Sequence, residues 1–451
     1  MSDLDIVILA AGKGTRMKSS IPKVLHQIAG KPMLSHIIET AESLDPNAIV
    51  LVVGHEGNDV RKSIANDRLI FVTQSPQLGT GHAVLQTKPF LKAKKTLILY
   101  GDVPCISNVT LARLTASSAQ ISILTQVVTN PTGYGRILRD NAGNILSILE
   151  EKDASEEERK TREINTGILC LDTELLKNFL DQMSNENAQK EYYLTDVIRF
   201  ASHKNIAIDS CEPIYEHEVI GVNSKQDLAV MEREYQKSAA DKLMKDGVTI
   251  ADPARIDIRG TLTCDSEVHI DVGCIFEGDV HLGKSVKVGA YSIIKDSAIG
   301  DGSEILPFCH IEGAQIGERN TLGPYCRIRP KTKSHSGVKI GNFVEVKATE
   351  IGEDSKANHL AYVGDAKIGR NVNVGAGTIT CNYDGANKYQ TILEDDVFVG
   401  SDTQLVAPVK VGKGVTIAAG STITKDVTEG GLAISRTKQS HLPSWKRPIK
   451  K

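Results

Sequence analysis

Ile299-Gly-Asp-Gly-Ser-Glu304 opens the stretch that decides the fold of this chain. Ile305, Ile311, Ile316-Gly317, Leu322-Gly323 and Ile328 follow it. Then come Ile340-Gly341, Val346, Ile351-Gly352, Ile368-Gly369, Val374-Gly375, Val399-Gly400, Leu405, Val411-Gly412 and Ile417, up to Ile423. An aliphatic residue returns about every six positions, often with glycine after it, which is the mark of a parallel β-helix. Each coil stacks on the last, and the aliphatic side chains form one internal column. A looser stretch with Ile270, Phe276, Leu282-Gly283 and Val288-Gly289 precedes it. Three interruptions, at 331–339, 358–367 and 380–391, are expected to project as loops from one edge, where function is commonly carried.

Working outward toward the N-terminus, the period changes. Residues 224–246 place Leu228, Met231, Tyr235, Ala239 and Leu243 at steps of three and four, the spacing of a helix. Ser224 with Asp227 resembles a capping box, and Gly247 can end the helix. Before it, apolar runs alternate with helical patterns such as 33–43. Asp5-Ile-Val-Ile-Leu-Ala10, Ala48-Ile-Val-Leu-Val-Val53 and Thr96-Leu-Ile-Leu-Tyr100 read as central strands of an α/β sheet covered on both faces. The reading is therefore an α/β domain over 1–225, a linker helix over 226–246 and a β-helix domain with a C-terminal tail over 247–451.

The bulk numbers agree with two or three folded domains in 451 residues. A net charge of −3 gives no general attraction to nucleic acid or anionic membrane, so phosphates must be bound by local sites. No apolar run is long enough to span a membrane, and the first residues do not read as a signal peptide. The eight cysteines form no CxxC pair, which suggests reduced, mostly buried thiols and a cytoplasmic protein. The basic tail 436–451, with the only tryptophan, Trp445, reads as a solvated segment or as one that docks on a neighbouring subunit.

In an α/β sheet, ligands bind beyond the carboxyl ends of the strands. That rule points to Gly12–Arg16 and to Asp102. Leu9-Ala-Ala-Gly-Lys-Gly-Thr-Arg-Met17 follows the first strand, with glycines that let backbone N–H groups approach a phosphate and with Lys13 and Arg16 adding positive charge. It is neither a Walker A loop nor a complete GxGxxG.

The string Leu9–Met17, followed by Pro22-Lys23, resembles the signature of sugar-nucleotide pyrophosphorylases. Further matches come in order: Gln74, Gln77-Leu-Gly-Thr-Gly-His82, Tyr100-Gly101-Asp102, Gly133-Tyr-Gly-Arg136, Glu150, Asn165-Thr-Gly167 and Gly221-Val-Asn223. With the hexapeptide half, nearly the whole chain resembles the bacterial bifunctional enzymes that make UDP-N-acetylglucosamine for peptidoglycan and lipopolysaccharide. These join an N-acetylglucosamine-1-phosphate uridylyltransferase to a glucosamine-1-phosphate N-acetyltransferase. The resemblance implies a Rossmann-like nucleotidyltransferase domain with a mixed sheet, then a left-handed parallel β-helix. It implies that Arg16 and Lys23 neutralise the phosphates of UTP, and that Asp102, a hard oxygen, and Asn223, a neutral one, hold Mg²⁺, which takes one or two protein ligands plus phosphate oxygens. Leu9, Ala11, Gly12, Gln74, Gly79 and Thr80 would hold uracil and ribose. Tyr100 and Gly101 stand beside Asp102 in the same site, while Gly135, Glu150 and Asn165 would hold N-acetylglucosamine 1-phosphate. Glu150 is favoured over its neighbour Glu151 by alignment alone, and Glu151 is expected on a solvated face.

In the second half, Ser355-Lys-Ala-Asn-His-Leu-Ala-Tyr362 resembles the family's segment whose histidine is the catalytic base, here His359. Acetyl transfer from acetyl-CoA to the amine of glucosamine 1-phosphate needs such a base, and histidine titrates near neutrality. Arg329 and Lys347 fall just past aliphatic positions on successive coils and, by resemblance, clamp the sugar phosphate, with Tyr362 and Asn373 completing that site. Asn382-Tyr383-Asp384-Gly385 reads as a tight turn. By resemblance Asn382 and Tyr383, with Ala376, Ser401, Ala419 and Arg436, contact acetyl-CoA. The family's β-helices form homotrimers. Two other readings stay open at this level: a single-activity nucleotidyltransferase whose β-helix is structural, and a non-catalytic sugar-nucleotide scaffold.

Overall fold

The computed structural model describes residues 2–12, 14–54 and 57–450; Lys13, one of the two cations read in the glycine loop, lies outside them. The chain divides into two compact units, Met1–Tyr235 and Gln236–Lys451.

In the first unit the apolar runs form strands because they can be covered on both sides. The strands are β1 (Leu4–Ala10), β2 (Ala48–Val53), β3 (Leu69–Thr73), β4 (Lys95–Tyr100), β5 (Ile121–Val127), β6 (Gly135–Arg139), β7 (Ile145–Leu149), β8 (Glu163–Asp172) and β9 (Ile208–Cys211). Their order in the sheet is β9-β5-β8-β4-β1-β2-β3, with β6 and β7 attached beside β8. The sheet is mixed: β1 runs parallel to β2 and β4, whereas β8 is antiparallel to β4 and β5. Along β1, Ile6 and Ile8 face one core while Val7 and Leu9 face another. That alternation explains why the run is apolar throughout. The carboxyl ends of β1 and β4 come out side by side, Leu9 paired with Tyr100.

The helix Lys225–Lys245 is bounded by the signals its sequence carries. The Asp227 N–H donates to Ser224 Oγ at 3.1 Å, and the Ser224 N–H donates to Asp227 Oδ2 at 2.9 Å, a reciprocal cap. At the other end Gly247 takes φ +98°, and the N–H groups of Gly247 and Val248 donate to the carbonyls of Met244 and Leu243. This is the Schellman arrangement, which needs a residue without Cβ cost at the left-handed position.

The second unit is a parallel β-helix. One face is an 11-stranded sheet in which each strand pairs with the equivalent strand of the next coil. Val288, Ile305, Leu322, Ile340, Ala357, Val374, Val399 and Ile417 stack there in register, all buried. Burial of each large aliphatic side chain contributes roughly 1.5–3 kcal/mol. The coil also takes in the looser stretch, from Thr249 onward.

The interruptions behave differently from the sequence expectation. Lys333–Ser334 pairs within the coil, and Lys356–His359, Tyr362–Gly364 and Ala366–Ile368 are regular strands. Neither 331–339 nor 358–367 leaves the helix, because Thr332 and Val338 in the first and Ala361, Val363 and Ala366 in the second are buried within the coil. Only the third interruption projects. There the step between equivalent residues lengthens from 17, Ser355 to Val372, to 25, Arg370 to Asp395. One corner carries Tyr291, Phe308, Tyr325 and Phe343, exposed and stacked with centroids 5.0–5.5 Å apart.

Among the described residues, no helix is long and apolar enough to cross a membrane. All eight cysteines are free thiols; Cys170, Cys274, Cys309 and Cys326 are buried and the others half-buried.

Candidate functional site

The first unit holds a cleft of about 320 Å³ beyond the ends of β1 and β4. Leu9, Ala11, Gly12, Lys23, Gln74, Gly79, Thr80, Tyr100 and Asp102 all line it. Gly12 faces open space, while Gly79 has φ +104° and a Cβ there would strike the 191–192 backbone. Gln74 is buried and its amide nitrogen meets Gly79 O at 2.9 Å and His82 Nδ1 at 3.2 Å. With its donors so engaged, Gln74 offers a bound base an acceptor.

Lys23 organises the charged end. Its ammonium contacts Asp102 Oδ2 and lies 3.0 Å from Asn223 Oδ1. Asn223 reaches this point because the Val222 N–H donates to the Asp102 carbonyl at 2.8 Å. The two oxygens named for Mg²⁺ thus converge on one cationic position, a hard-oxygen pair that fits the ion. Among the described residues, no group of three or more His, Cys, Asp or Glu forms a metal cluster.

Tyr100 stands between the cleft and the next group. Burial pushes its phenol up, and the carboxylates of Glu150 and Asp102 add to this. Glu150 accepts from Thr195 Oγ1 at 3.2 Å; burial holds its carboxyl above the usual range against that hydrogen bond. Gly135 pairs with Asn165 across β6 and β8. The register of β8 shifts between Asn165 and Leu169, and Asn165 Oδ1 accepts from the Gly167 N–H at 3.0 Å. A bulge of this kind re-aims a side chain. Gly167 is required there, since a Cβ would meet the Tyr100 ring at 2.6 Å. Gly101 follows β4 in a confined place, with Val24, Ala10 and Leu34 all near where its Cβ would be.

Arg16 does not join these residues: it is exposed on the short turn Thr15–Met17 and does not line the cleft. Glu151 is half-exposed but partnered: it accepts from the Gly133 N–H and lies 3.9 Å from Arg136. Gln77 and Glu191 line the cleft and were not assigned a place there from sequence. The first was visible in the Gln77–His82 string. The second comes from a segment held by the Tyr192 N–H donating to Leu78 O, a contact no local pattern announces.

In the β-helix, register builds a second group. Asn342 pairs with His359 on the next coil. Continuing the register two residues past Ala357, Val374, Val399 and Ile417 brings Ala376, Ser401 and Ala419 onto the same line. Hydrogen bonds from the N–H of Asp402 to Ala376 O and of Gly420 to Ser401 O tie this column together. Arg436 closes it, donating to Ala419 O at 2.8 Å. Past His359 the side chains along the column are small, which leaves a straight exposed track ending in a cation.

Around the corner from His359, Arg329 and Lys347 lie on successive coils, as their spacing predicted. Arg329 meets Glu345 at 2.7 Å. Lys347 has a further cation beside it: contact with Lys388 holds its ammonium below the usual range. Lys388 was missed from sequence, because it comes from the projecting segment, where it bridges to Tyr383. Two ammonium groups in contact, with Arg329 adding repulsion, mark a place that favours an anion. Asn382 Nδ2 donates to Asp365 Oδ2 at 2.5 Å and lies 3.3 Å from Tyr362 Oη. The chain reverses later than the 382–385 reading placed it, at Gly385 and Ala386 between the bridge partners Tyr383 and Lys388, with Asp384 Oδ1 accepting from the N–H groups of Ala386 and Asn387. Tyr383 is exposed on it. Asn373 sits in the 11-stranded sheet, paired with Lys356 and Phe398. The tail 436–450 is exposed throughout.

Comparison with known proteins bears on both halves. Residues 6–159 match the MobA-like NTP transferase domain, and residues 390–425 match the bacterial transferase hexapeptide (six repeats). A relative from Ralstonia pickettii, named bifunctional protein GlmU, is 55% identical over 450 residues, covering 99% of each chain. One of the same name from Cupriavidus pinatubonensis is 54% identical over 451 residues, again 99% of each. Another, from Nitrosospira multiformis, is 54% identical over 455 residues, spanning 100% of this chain and 99% of its own.

Proposed function

The chain belongs to the family of bifunctional GlmU proteins, transferases that join a nucleotidyltransferase to a hexapeptide acetyltransferase, and we propose how its two sites divide that work. In the β-helix, the 2-amino group of glucosamine 1-phosphate attacks the thioester carbon of acetyl-CoA. A C–N bond forms and the C–S bond breaks. His359 takes the proton from the amine and returns one to the departing thiolate. Arg329, Lys347 and Lys388 hold the sugar phosphate, with Tyr362 and Asn373 at the sugar. Acetyl-CoA runs along Ala376, Ser401 and Ala419 toward Arg436, with Asn382 and Tyr383 at its side.

In the first unit, a phosphate oxygen of N-acetylglucosamine 1-phosphate attacks the α-phosphorus of UTP. The new P–O bond replaces the one to the leaving pyrophosphate, giving UDP-N-acetylglucosamine. Leu9, Ala11, Gly12, Gln74, Gly79 and Thr80 hold the nucleoside, and Gly135, Glu150 and Asn165 hold the sugar. Lys23 and Arg16 neutralise phosphate charge. Asp102 and Asn223 hold Mg²⁺, which when bound adds charge neutralisation at the phosphate oxygens. The working form is a cytoplasmic homotrimer with acetyl-CoA between copies. An exposed column flanked by exposed stacked rings supports that reading.

The observation that carries the reading is the column in which His359, Ala376, Ser401, Ala419 and Arg436 share one line. It speaks against a purely structural β-helix. The test incubates the protein with glucosamine 1-phosphate, acetyl-CoA, UTP and Mg²⁺ and follows free thiol and pyrophosphate separately. His359→Ala should abolish thiol release, yet still release pyrophosphate when N-acetylglucosamine 1-phosphate is supplied. Undiminished thiol release would remove His359 from the mechanism.

A further inference from the structure

His359 touches one polar side chain that none of the assignments above uses. Its Nδ1 lies 2.9 Å from Asn342 Oδ1. The two residues are register partners on adjacent coils, and the Leu360 N–H donates to Asn342 O at 3.1 Å, which fixes their backbones together. The approach depends on Gly341, because a Cβ there would fall on the Asn358 carbonyl. The register also puts Pro307 and Pro324 on earlier coils of this column, and Ala376 on the next. None of those side chains can exchange a hydrogen bond with an imidazole. The one amide in the run stands directly beside the proposed base.

An amide oxygen can only accept, so the nitrogen facing it must carry the hydrogen. With Nδ1 protonated, neutral His359 has its lone pair on Nε2, the nitrogen turned away from Asn342. A free imidazole in water favours the opposite tautomer, with hydrogen on Nε2, which cannot take a proton. We infer that Asn342 is a positioning residue for acetyl transfer: it holds His359 in the Nδ1–H tautomer and fixes the ring so that Nε2 receives the proton of the attacking amine. This rests on His359 being the base. The amide's other orientation, with nitrogen donating to Nδ1, would leave Nε2–H and an inactive base, so the tautomer itself decides the matter.

The experiment compares the full-length protein with Asn342→Ala, Asn342→Asp and His359→Ala. Nitrogen-15 NMR of histidine-labelled protein reports the His359 tautomer, assigned by its loss in His359→Ala. The wild type should show Nδ1–H, Asn342→Ala should shift toward Nε2–H, and Asn342→Asp, which still accepts, should keep Nδ1–H. In kinetics, Asn342→Ala should lower kcat for thiol release about tenfold, the scale of one lost hydrogen bond. The KM for the sugar phosphate and the rate of pyrophosphate release should stay the same, and Asn342→Asp should restore most of kcat. An Nε2–H wild type, or equal loss in the Ala and Asp variants, overturns the inference. If His359→Ala retains acetyl transfer, the base assignment falls first; if it is inactive while Asn342→Ala is unaffected, only the positioning role fails.

Discussion

The Lys23 ammonium bridges Asp102 and Asn223, occupying the point on which their two side-chain oxygens converge. A lysine on that point and a divalent ion on the same oxygens exclude each other. Asp102 and Asn223 would hold the ion only where the ammonium does not stand between them, and Lys23 would then be free to neutralise the phosphates of the nucleotide. Lys23→Met should therefore have opposite effects on two measurements. Mn²⁺ affinity of the nucleotide-free protein, followed by electron paramagnetic resonance, should rise about tenfold, since one competing charge near a carboxylate is worth roughly 1–2 kcal/mol. Pyrophosphate release should fall by two orders of magnitude or so, because phosphate charge is left uncancelled. Weaker Mn²⁺ binding in the variant would show that Lys23 supports the metal site instead of standing in for the ion.

Gly167 sits at the bulge and packs against Tyr100, which lines the cleft. It has φ +84°, and a Cβ would press into the Tyr100 ring. Gly167→Ala should destabilise the first unit by about 1–3 kcal/mol and lower uridylyl transfer, while thiol release is kept. Thermal unfolding together with the two assays checks this. Equal loss of both activities would mean that the damage spreads beyond the first unit.

Glu150 gives a pH prediction whose sign follows from its environment. Burial raises its carboxyl above the unfolded value, so the charged form is disfavoured in the folded state. The folded protein is relatively stabilised below the unfolded pKa, and that advantage is lost as pH rises through the raised folded value. Glu150→Gln, which can still accept from Thr195, should melt at a higher temperature than the wild type at pH 7. The difference should shrink toward pH 4. Sugar-phosphate affinity should drop at the same time, an exchange of stability for function common at binding sites. A variant less stable at pH 7 would show that the folded protein favours the ionised carboxylate, against the desolvation argument.

Much of this was legible in local patterns. Apolar runs gave β1, β2 and β4, the Ser224–Asp227 pair and Gly247 bounded the helix, and the hexapeptide period revealed the coil. Each depends on residues close in sequence. The interruptions depart from expectation for one reason: a coil does not need a large aliphatic residue at every inward position, and Thr332, Ala361 and Ala366 are buried there without breaking it. What stayed hidden depends on register between coils. Asn342 meets His359 and Lys388 meets Lys347 only once the length of every turn is known, and the step changes where the chain projects. Arg16 was named from its motif, but its side chain lies outside the cleft, a matter of loop conformation that residue type does not determine.

The β-helix column sets a stability prediction. Leu322 is fully buried between Ile305 and Ile340. Leu322→Ala should cost about 2–5 kcal/mol, transfer plus cavity, because the coils above and below cannot close independently. Chemical denaturation followed by circular dichroism measures it. A loss under 1 kcal/mol would show that the column repacks freely.

Asp365 carries the last prediction. It sits at φ +50° and its carboxylate receives the Asn382 side chain, which also approaches Tyr362 Oη. Asn382 begins the one segment that leaves the coil, so this contact is what orients the projecting turn, with Tyr383 on it and Lys388 returning from it. Asp365→Ala should free the turn. The KM for acetyl-CoA should rise several-fold through Asn382 and Tyr383, and the KM for glucosamine 1-phosphate should rise through Lys388. Asp365→Asn keeps an acceptor and a residue type that tolerates positive φ, so it should retain much of both. Lys388→Met removes only the cation and should raise the sugar-phosphate KM about tenfold without touching that for acetyl-CoA. If Asp365→Ala raises neither, the turn is held by its own Asp384 hydrogen bonds, and Asp365 has no part in presenting it.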